Sequence, residues 1–367
     1  MKSIRVFSLL LLAILIPSGL IGPAGADGLA TFVFGDSLVD HGNNNYIVTL
    51  SRANYPPNGI DFGRPTGRFT NGRTIVDIQG EVLSGGSLVP PYLAPTTIWP
   101  ATLQGVNYAS GAGGILNDTG RLFGGRISLD AQIDNFANTR QDIIARVGPD
   151  QARNFFDKAM FAIAIGSNDF INNYLISADR LVPPEIFVTA MINRFRLQLT
   201  VSSCRLYELG ARKIAVMNIG PIGCIPYQRD VNPTAGDDDC AALPNELAQL
   251  FNSKLRTLVQ QLITESQTFP GLHLVHGEAF RIVSDIIANY ASYGFENANS
   301  ACCRVAGRHG GLIPCGPPSL VCPDRTKFVF WDPYHPSEAA NLIIAGRLMD
   351  GGADDIWPMN VRQLAAI

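Results

Sequence analysis

The segment Thr31-Phe32-Val33-Phe34-Gly35-Asp36-Ser37-Leu38 decides how this chain is interpreted. Its first half is apolar and consists of residues that favour β-strands, and the run stops at glycine, aspartate and serine. A strand that ends there puts one hydroxyl, that of Ser37, at the lip of a sheet. Ser37 is therefore a candidate nucleophile.

A serine hydroxyl is too weakly acidic to attack a carbonyl unaided, so the assignment needs further groups. These are a base, a group that orients the base, and donors for the oxyanion. The sequence Asp332-Pro333-Tyr334-His335 offers a carboxylate and an imidazole three residues apart. Two other segments, Gly166-Ser167-Asn168-Asp169 and Ala109-Ser110-Gly111, each follow an apolar stretch and offer N–H donors.

Together these blocks resemble the plant branch of the GDSL esterase/lipase family, within the SGNH hydrolase superfamily. The resemblance covers nearly the whole chain after the first residues. It implies that Ser37 is the nucleophile, that His335 and Asp332 complete a triad, and that Gly111 and Asn168 donate to the oxyanion. It also implies an enzyme that acts on small-molecule or lipid esters and needs no cofactor or metal.

Two further blocks of the resemblance, residues 65–73 and 218–224, carry no chemistry. One small departure is Ala112, because relatives often carry a second glycine at this position. The departure leaves the Gly111 donor in place and affects the shape of the loop around it.

Each candidate also has a plainer interpretation. A serine that closes a strand is most often a helix N-cap, and Asn168 and Gly111 are common turn residues. The combination of the blocks favours the catalytic roles. His41, which is near Ser37 in the sequence, is the rival base, although its neighbours also suit an ordinary loop. Asp169 is expected to hold a loop rather than to act as a second catalytic carboxylate.

Short apolar runs recur at long intervals, at residues 31–34, 161–165, 214–217, 272–275 and 328–331. This rhythm is typical of a parallel α/β sheet. Residues 184–209 and 241–265 have apolar positions three and four apart, which predicts two long helices, the first with Gly210 as its C-cap. We expect a single three-layer α/β/α sandwich with a central parallel sheet, the flavodoxin-like fold of the SGNH hydrolases.

Two irregular regions interrupt this rhythm. Residues 54–72 are dense in Pro, Gly and Asn, and residues 298–323 are dense in Cys, Gly and Pro, so both are predicted to be long ordered loops. One follows Ser37 and the other precedes Asp332, and loops of this length in a compact domain are usually functional. We expect them to form walls of the substrate cleft.

The first residues have the pattern of a secretory signal. Two basic residues precede an apolar core at residues 7–16, and small residues at 24–26 suit a cleavage site. We predict a signal peptide at residues 1–26, one hydrolase domain at residues 27–367, and secretion to the apoplast or cell wall. An uncleaved anchor is the alternative, but the core is shorter than the roughly 20 residues that a span needs.

The charge pattern argues against a nucleic-acid partner. The chain has 28 basic and 31 acidic residues, a net charge of −3, without a long run of one sign. A nucleic-acid surface would need a basic patch. Asn117-Asp118-Thr119 is the one permitted glycosylation sequon, so an N-glycan at Asn117 is expected in an exported chain. The oligomeric state is left open by the sequence.

All seven cysteines lie in the second half of the chain, and an exported protein can oxidise them. Cys224 and Cys240 are expected to close one loop, and two of the four cysteines in residues 302–322 another. The odd count leaves at least one thiol, for which Cys204 in a helical pattern is the candidate. A zinc site in residues 302–322 is the competing interpretation, but paired C-x-x-C spacing is missing.

The sequence thus predicts a secreted serine esterase or lipase that works through an acyl-enzyme on Ser37. An acyltransferase with a sugar, phenolic or lipid alcohol as acceptor is an alternative, because the same acyl-enzyme serves both reactions. A catalytically silent binding protein on this scaffold is another. Neither the acyl chain length nor the alcohol of the substrate follows from the sequence.

Overall fold

The computed structural model describes residues 28–176, 181–200, 206–232, 239–265 and 267–367. The predicted signal peptide and the predicted buried thiol of Cys204 lie outside these ranges. Within them, no helix combines the length and the apolar character needed to cross a membrane.

The strands are β1 (Thr31–Gly35), β2 (Met160–Ala164), β3 (Lys213–Met217), β4 (His273–Gly277), β5 (Asn297–Ala301), β6 (Cys303–Arg304), β7 (Leu320–Val321), β8 (Phe328–Phe330) and β9 (Ile356–Trp357). The central sheet has the order β1-β2-β3-β4-β9. Its first four strands are parallel, and β9 is antiparallel to β4. Four of the five predicted apolar runs are therefore strands of the central parallel sheet.

The helices are α1 (Ile75–Leu83), α2 (Leu129–Val147), α3 (Pro149–Lys158), α4 (Ser167–Asp169), α5 (Pro184–Leu199), α6 (Pro226–Val231), α7 (Ala242–Thr264), α8 (Ala279–Ala288), α9 (Glu338–Asp350) and α10 (Val361–Ala366). Alternate residues of a strand point to opposite faces of the sheet. Phe34 of β1 packs against Phe136 of α2, whereas Val33 packs with Val76 of α1. Helices α3, α5 and α7 lie with α2, and α8, α9 and α10 lie with α1. The three-layer α/β/α prediction is confirmed.

Both faces of the sheet are covered, which explains why its strands carry consecutive apolar residues rather than an alternating pattern. Every residue of β1 is buried. Phe32 alone has the rings of Phe136 and Phe161 at centroid distances of 5.1 and 5.2 Å. This aromatic packing anchors the strand that leads to Ser37.

The fifth predicted strand does not join the central sheet. β8 pairs with β5 in a separate two-stranded sheet, and the edge beside β4 is taken by β9. The hydrogen-bonding groups of the backbone just after β8 are used by residues 298–323, which we call the cysteine-rich region. The Trp331 carbonyl, for example, accepts the N–H of Cys303 (2.7 Å). The prediction that residues 328–331 extend the parallel sheet was wrong in this respect.

The two predicted long helices differ in outcome. Residues 241–265 contain α7, as expected. The prediction for residues 184–209 was too long, because α5 ends at Leu199 with Thr200 as its C-cap. The sequence that follows Leu199 is Thr-Val-Ser-Ser, residue types with low helix propensity. Gly210 instead closes a turn, in which its N–H donates to the Tyr207 carbonyl (3.0 Å).

The cysteine-rich region is more regular than predicted. Residues 298–323 contain the short strands β6 and β7 and are crossed by two disulfides, Cys302–Cys322 and Cys303–Cys315. The predicted pair Cys224–Cys240 forms the third. With its four cysteines joined in pairs, this region has no thiolates to offer a zinc ion.

Candidate active site

Ser37 lies in the turn that follows β1. The Asp36 N–H donates to the carbonyl of Ala164 in β2 (3.1 Å), and the Val39 N–H donates to the Asp36 carbonyl (3.2 Å). Within residues 28–176 the next helical turn begins only at Asn43, so Ser37 is not a helix N-cap. The turn holds the serine at the carboxyl edge of the sheet, where open α/β folds bind their ligands.

His335 lies between β8 and α9, beside the carboxylate of Asp332. Its Nδ1 is 2.8 Å from both carboxylate oxygens, and because a carboxylate only accepts, Nδ1 carries the proton. Asp332 Oδ1 also accepts the backbone N–H of Tyr334 and of His335, each at 2.8 Å. The side chains of Asp332 and His335 are both buried. The carboxylate is therefore fixed, and it fixes the orientation of the imidazole.

The other ring nitrogen of His335 faces the serine. His335 Nε2 lies 2.7 Å from Ser37 Oγ, although the two residues are 298 positions apart in the chain. With Nδ1 protonated, Nε2 is free to accept the hydroxyl proton. Ser37, His335 and Asp332 thus form one continuous hydrogen-bonded chain, the arrangement that activates a serine nucleophile.

The first irregular loop supports this arrangement. Trp331 donates its backbone N–H to the His335 carbonyl (2.8 Å) and its indole N–H to Asn58 Oδ1 (2.9 Å). The ring of Phe69 packs on the imidazole of His335 with 5.2 Å between the ring centroids. Sequence reasoning did not single out Trp331, Asn58 or Phe69, because their roles depend on contacts across some 270 residues of chain.

Asn168 lies at the carboxyl edge of β2, in the helical turn α4. Its side-chain Nδ2 donates to the Gly113 carbonyl (3.0 Å), and its Oδ1 accepts from the side chain of Asn172 (2.5 Å). An amide nitrogen carries two hydrogens, so one N–H is left for a ligand. Asn168 and Ser37 line the same cavity.

Gly111 is positioned differently from what the sequence suggests for a donor. Its N–H donates to Asp40 Oδ2 (3.1 Å), and a Cβ at this position would lie 2.6 Å from Phe69 Cζ. Its neighbour Ala112 lines the cavity beside Ser37, and in the described part of the chain the Ala112 N–H has no acceptor. Ala112 is also the one described non-glycine residue with a positive φ, 64°.

The GDSL-like lipase/acylhydrolase family model matches residues 31–348. The chain belongs to this family. It is 61% identical to GDSL esterase/lipase At4g16230 of Arabidopsis thaliana over 347 residues, 93% of this chain and 92% of that protein. GDSL esterase/lipase At3g50400 of the same plant is 50% identical, over 91% and 90% of the two chains. For GDSL esterase/lipase 7 the identity is 44%, over 92% of each.

Membership of the GDSL family makes this chain a carboxylic ester hydrolase by class. It confirms the family expected from the sequence blocks. The family match from residue 31 to residue 348 contains Ser37, the asparagine of α4 and the Asp332–His335 pair.

Two carboxylates, those of Asp36 and Asp40, are buried close to Ser37 in the sequence. Asp36 accepts the Leu38 N–H with Oδ1 (3.0 Å), while its Oδ2 is buried with no partner among the described residues. Burial raises the pKa of Asp36 to about 7. Asp40 accepts the N–H groups of Gly42, at 2.7 Å, and Gly111, and burial raises its pKa to about 6. Asp40 thereby joins the turn after Ser37 to the loop that carries Ala112.

The rival base His41 faces away from the cavity. Its Nδ1 donates to the Val89 carbonyl (2.8 Å), and its Nε2 lies 3.1 Å from the Asp77 carboxylate. Burial disfavours the charged imidazole and Asp77 favours it; burial is the larger effect and lowers the pKa of His41 to about 4. Both ring nitrogens are engaged, one by Val89 and one by Asp77 of α1, so His41 does not compete with His335 for Ser37.

Asp169 holds a loop, as expected. Its carboxylate accepts the N–H groups of Ile115 and Leu116, both at 2.9 Å, and the hydroxyl of Thr119 at 2.7 Å. Burial raises its pKa to about 6. Asp169 thus links α4, which carries Asn168, to the loop that follows Ala112.

The cavity at Ser37 has a volume of about 210 Å³ and is lined mainly by apolar side chains. Both irregular regions contribute to its wall, residues 54–72 through Tyr55 and Asn58 and residues 298–323 through Pro314 and Cys315. The expectation that these regions wall the cleft is consistent with this lining. The site can therefore hold an apolar ligand beside the Ser37 hydroxyl.

Proposed function

We propose that this protein is a serine esterase or lipase in which Ser37 forms an acyl-enzyme. The observation that carries the proposal is the hydrogen-bonded chain from Ser37 Oγ through His335 to Asp332, with 2.7 Å between Oγ and Nε2. It opens into an apolar cavity in a chain of a hydrolase family.

The reaction has two steps. Ser37 Oγ bonds to the ester carbonyl carbon while His335 Nε2 takes the hydroxyl proton. The bond to the alcohol oxygen then breaks, and His335 gives the proton to the departing alcohol. In the second step His335 takes a proton from water as the water oxygen bonds to the acyl carbon. The bond between that carbon and Ser37 Oγ then breaks, His335 returns the proton to Oγ, and the carboxylic acid leaves. Asp332 keeps Nδ1 protonated and stabilises the imidazolium in each step.

The oxyanion needs donors that are not already used. We assign three: the N–H of Ser37, the N–H of Ala112 and the free N–H of Asn168 Nδ2. Among the described residues, neither the Ser37 N–H nor the Ala112 N–H has an acceptor. In this assignment Gly111 does not donate to the oxyanion but positions the Ala112 N–H. It leaves room for the ring of Phe69, and its own N–H binds Asp40, which holds the loop that carries Ala112. This assignment moves the role expected for Gly111 to its neighbour.

Substitution of the nucleophile tests the proposal. Ser37→Ala should abolish release of p-nitrophenolate from p-nitrophenyl butyrate without lowering the Tm, because it removes one partly exposed hydroxyl and no core volume. His335→Ala should be nearly as damaging, and the double variant little worse, because residues that act as a unit are not additive. Turnover by the wild type would exclude the alternative that the protein is a catalytically silent binding protein. Substantial turnover by Ser37→Ala would refute the assignment of Ser37 as the nucleophile.

We propose water as the acyl acceptor. The measurement that separates hydrolysis from transfer is the ratio of free acid to acylated alcohol when glycerol or glucose is added to the ester assay. Free acid should remain the main product. A predominance of acylated alcohol would identify the transferase alternative with the same acyl-enzyme.

We also propose that the chain is exported and carries an N-glycan at Asn117. Asn117 is exposed, and three disulfides join six of the cysteines, which suits an oxidising compartment. Expression in plant cells should give a secreted protein that starts near residue 27 and loses mass on treatment with a glycosidase. Asn117→Gln should remove that loss of mass, and an intracellular, unprocessed chain would contradict the proposal.

A further inference from the structure

Strands β2 and β3 carry three alanines on one face, whereas the other face carries large residues. Ala162 of β2 is paired in register with Ala215 of β3, and Ala164 with Met217. Ala162 and Ala164 remain partly accessible although they lie inside the three-layer fold. On the opposite face the large side chains of these two strands are buried, namely Phe161, Ile163, Ile214 and Val216. Space is therefore left between the sheet and the layer of α1, α8, α9 and α10.

This space is continuous with the cavity at Ser37. The lining of that one cavity includes Ala162 and Ala215 on the sheet, Ile344 of α9, Val283 of α8 and Val361 of α10. Helix α10 contacts β3 and β4, and α8 contacts α9. The cavity therefore runs from the serine hydroxyl inward across the sheet face, instead of ending as a shallow surface cleft.

The chemistry of the lining changes along this path. Charged groups, Arg52, Asp36 and the Asp332 carboxylate, lie in the part that also contains Ser37. Along the sheet face and the helices that cover it, the lining is apolar apart from Gln79. Asn218, at the end of β3, has both its Oδ1 and its Nδ2 already hydrogen-bonded. An inner part of this kind favours a hydrocarbon chain over a sugar or an aromatic alcohol.

We propose that this inner part of the cavity is an acyl-chain channel, and that the substrates are esters of medium- and long-chain unbranched fatty acids. The carbonyl carbon of the ester lies at Ser37, and the chain extends over Ala164, Ala162 and Ala215 beneath α9. This inference rests on the proposed role of Ser37 and adds the acyl part of the substrate to it. Each methylene that enters an apolar channel adds about fourfold in affinity until the channel is full.

The first test is a series of p-nitrophenyl esters below their micellar concentrations: acetate, butyrate, octanoate and decanoate. Release of p-nitrophenolate reports acylation of Ser37 whichever acceptor later takes the acyl group. The kcat/KM for octanoate should exceed that for acetate by at least tenfold. A maximum at acetate, with octanoate slower, would overturn the channel.

The second test fills the channel. Ala215→Leu should lower the ratio of octanoate to acetate kcat/KM at least tenfold and should not lower the Tm, because the added carbons enter open space. Ala162→Val is a second variant with a smaller added group, and the same direction is expected. The matched control is Ala248→Leu in α7, where the alanine is fully buried in the opposite layer. This control should lower the Tm by overpacking and leave the chain-length ratio unchanged.

The outcomes separate the channel from the proposed function. An unchanged ratio in both Ala215→Leu and Ala162→Val, with turnover that still depends on Ser37, would overturn the channel and leave the nucleophile in place. Turnover of all four esters by Ser37→Ala would overturn the proposed function itself. A lower Tm for Ala215→Leu without a change in ratio would show that the space is filled by protein, which also overturns the channel.

Discussion

The Asp332 carboxylate is held by three hydrogen bonds, because it accepts the backbone N–H groups of Tyr334 and His335 as well as the His335 Nδ1–H. These bonds hold its oxygens in one orientation, so only one tautomer of His335 suits the site. The histidine nitrogen that faces Ser37 is thereby kept without a proton. The hydrogen bonds that set this orientation lie within the four residues Asp332 to His335.

Replacement of this carboxylate by an amide tests the tautomer. Asp332→Asn keeps the shape but can donate to Nδ1, which moves the proton to the nitrogen that faces Ser37. We expect kcat to fall by up to about four powers of ten, as in the serine protease triad, with little change in Tm. Kinetics with p-nitrophenyl butyrate measure this. Near-normal activity would mean that Ser37 and His335 act as a dyad.

Gly111 and Ala112 form a natural pair for a second test. Ala112 has φ 64°, which disfavours an L side chain by roughly 1–2 kcal/mol, whereas a Cβ at Gly111 would collide with Phe69. Ala112→Gly should therefore raise the Tm and keep kcat, since the N–H donor remains. Gly111→Ala should lower both. If the two variants behaved alike in kinetics and thermal unfolding, the separate roles given to them would not stand.

At the level of elements, the cysteine-rich region supports the segment that carries His335. Cys302 and Cys303 donate backbone N–H groups to the carbonyls of Phe330 (3.1 Å) and Trp331 (2.7 Å). Phe330 and Trp331 are the residues that lead into Asp332. The disulfides of Cys302 and Cys303 therefore hold the strand on which the Asp332–His335 segment rests.

Removal of the Cys302–Cys322 disulfide should affect stability and catalysis together. The loop that it closes spans 20 residues, so the double variant Cys302→Ala, Cys322→Ala should lose about 3 kcal/mol of unfolding free energy. We also expect a lower kcat with p-nitrophenyl butyrate, because β5 and β8 are held together less firmly. Urea denaturation and steady-state kinetics measure the two effects. A destabilised variant with unchanged kcat would show that the histidine segment holds itself.

The elements that sequence patterns predicted well are those with internal regularity. The apolar runs of β1 to β4 and the helical spacing of α7 each carry their own signal over several residues. β9 is two residues long, which is too short to show a hydrophobic periodicity in the sequence. It lies at the sheet edge where residues 328–331 were predicted, and its pairing with β4 is seen only in the folded chain. The same applies to the site: motifs located Ser37 and His335, whereas the bond between Trp331 and Asn58 and the N–H of Ala112 that faces no acceptor among the described residues are seen only in the folded chain.

For the whole molecule, buried carboxyls set the dependence of stability on pH. Burial raises the pKa of Asp36 from 3.8 to about 7 and those of Asp40 and Asp169 to about 6. Between the unfolded and the folded pKa of these three carboxyls the native protein binds more protons than the unfolded chain, so their contribution to the free energy of unfolding falls as pH rises. The lowered pKa of His41 acts in the opposite sense below about pH 6.5, but it is one group against three. We expect the Tm to fall from about pH 4 to about pH 8, in calorimetry at constant ionic strength.

Asp36→Asn supplies the control for this pH dependence. The substitution keeps an acceptor for the Leu38 N–H and removes the charge from the unpartnered Oδ2. Its Tm relative to the wild type should rise between about pH 4 and about pH 7 and then level off, by an amount that corresponds to at most about 4 kcal/mol. Parallel curves for variant and wild type across this range would exclude Asp36 as the titrating group.

Covalent labelling with a fluorophosphonate tests the central claim, that Ser37 is the nucleophile activated by His335, most directly. Mass spectrometry of the labelled protein should show one phosphonyl group per chain on the peptide that contains Ser37. The labelling should be absent in Ser37→Ala and strongly slowed in His335→Ala. Loss of esterase activity with the label on another residue, and Ser37 unmodified, would contradict the account.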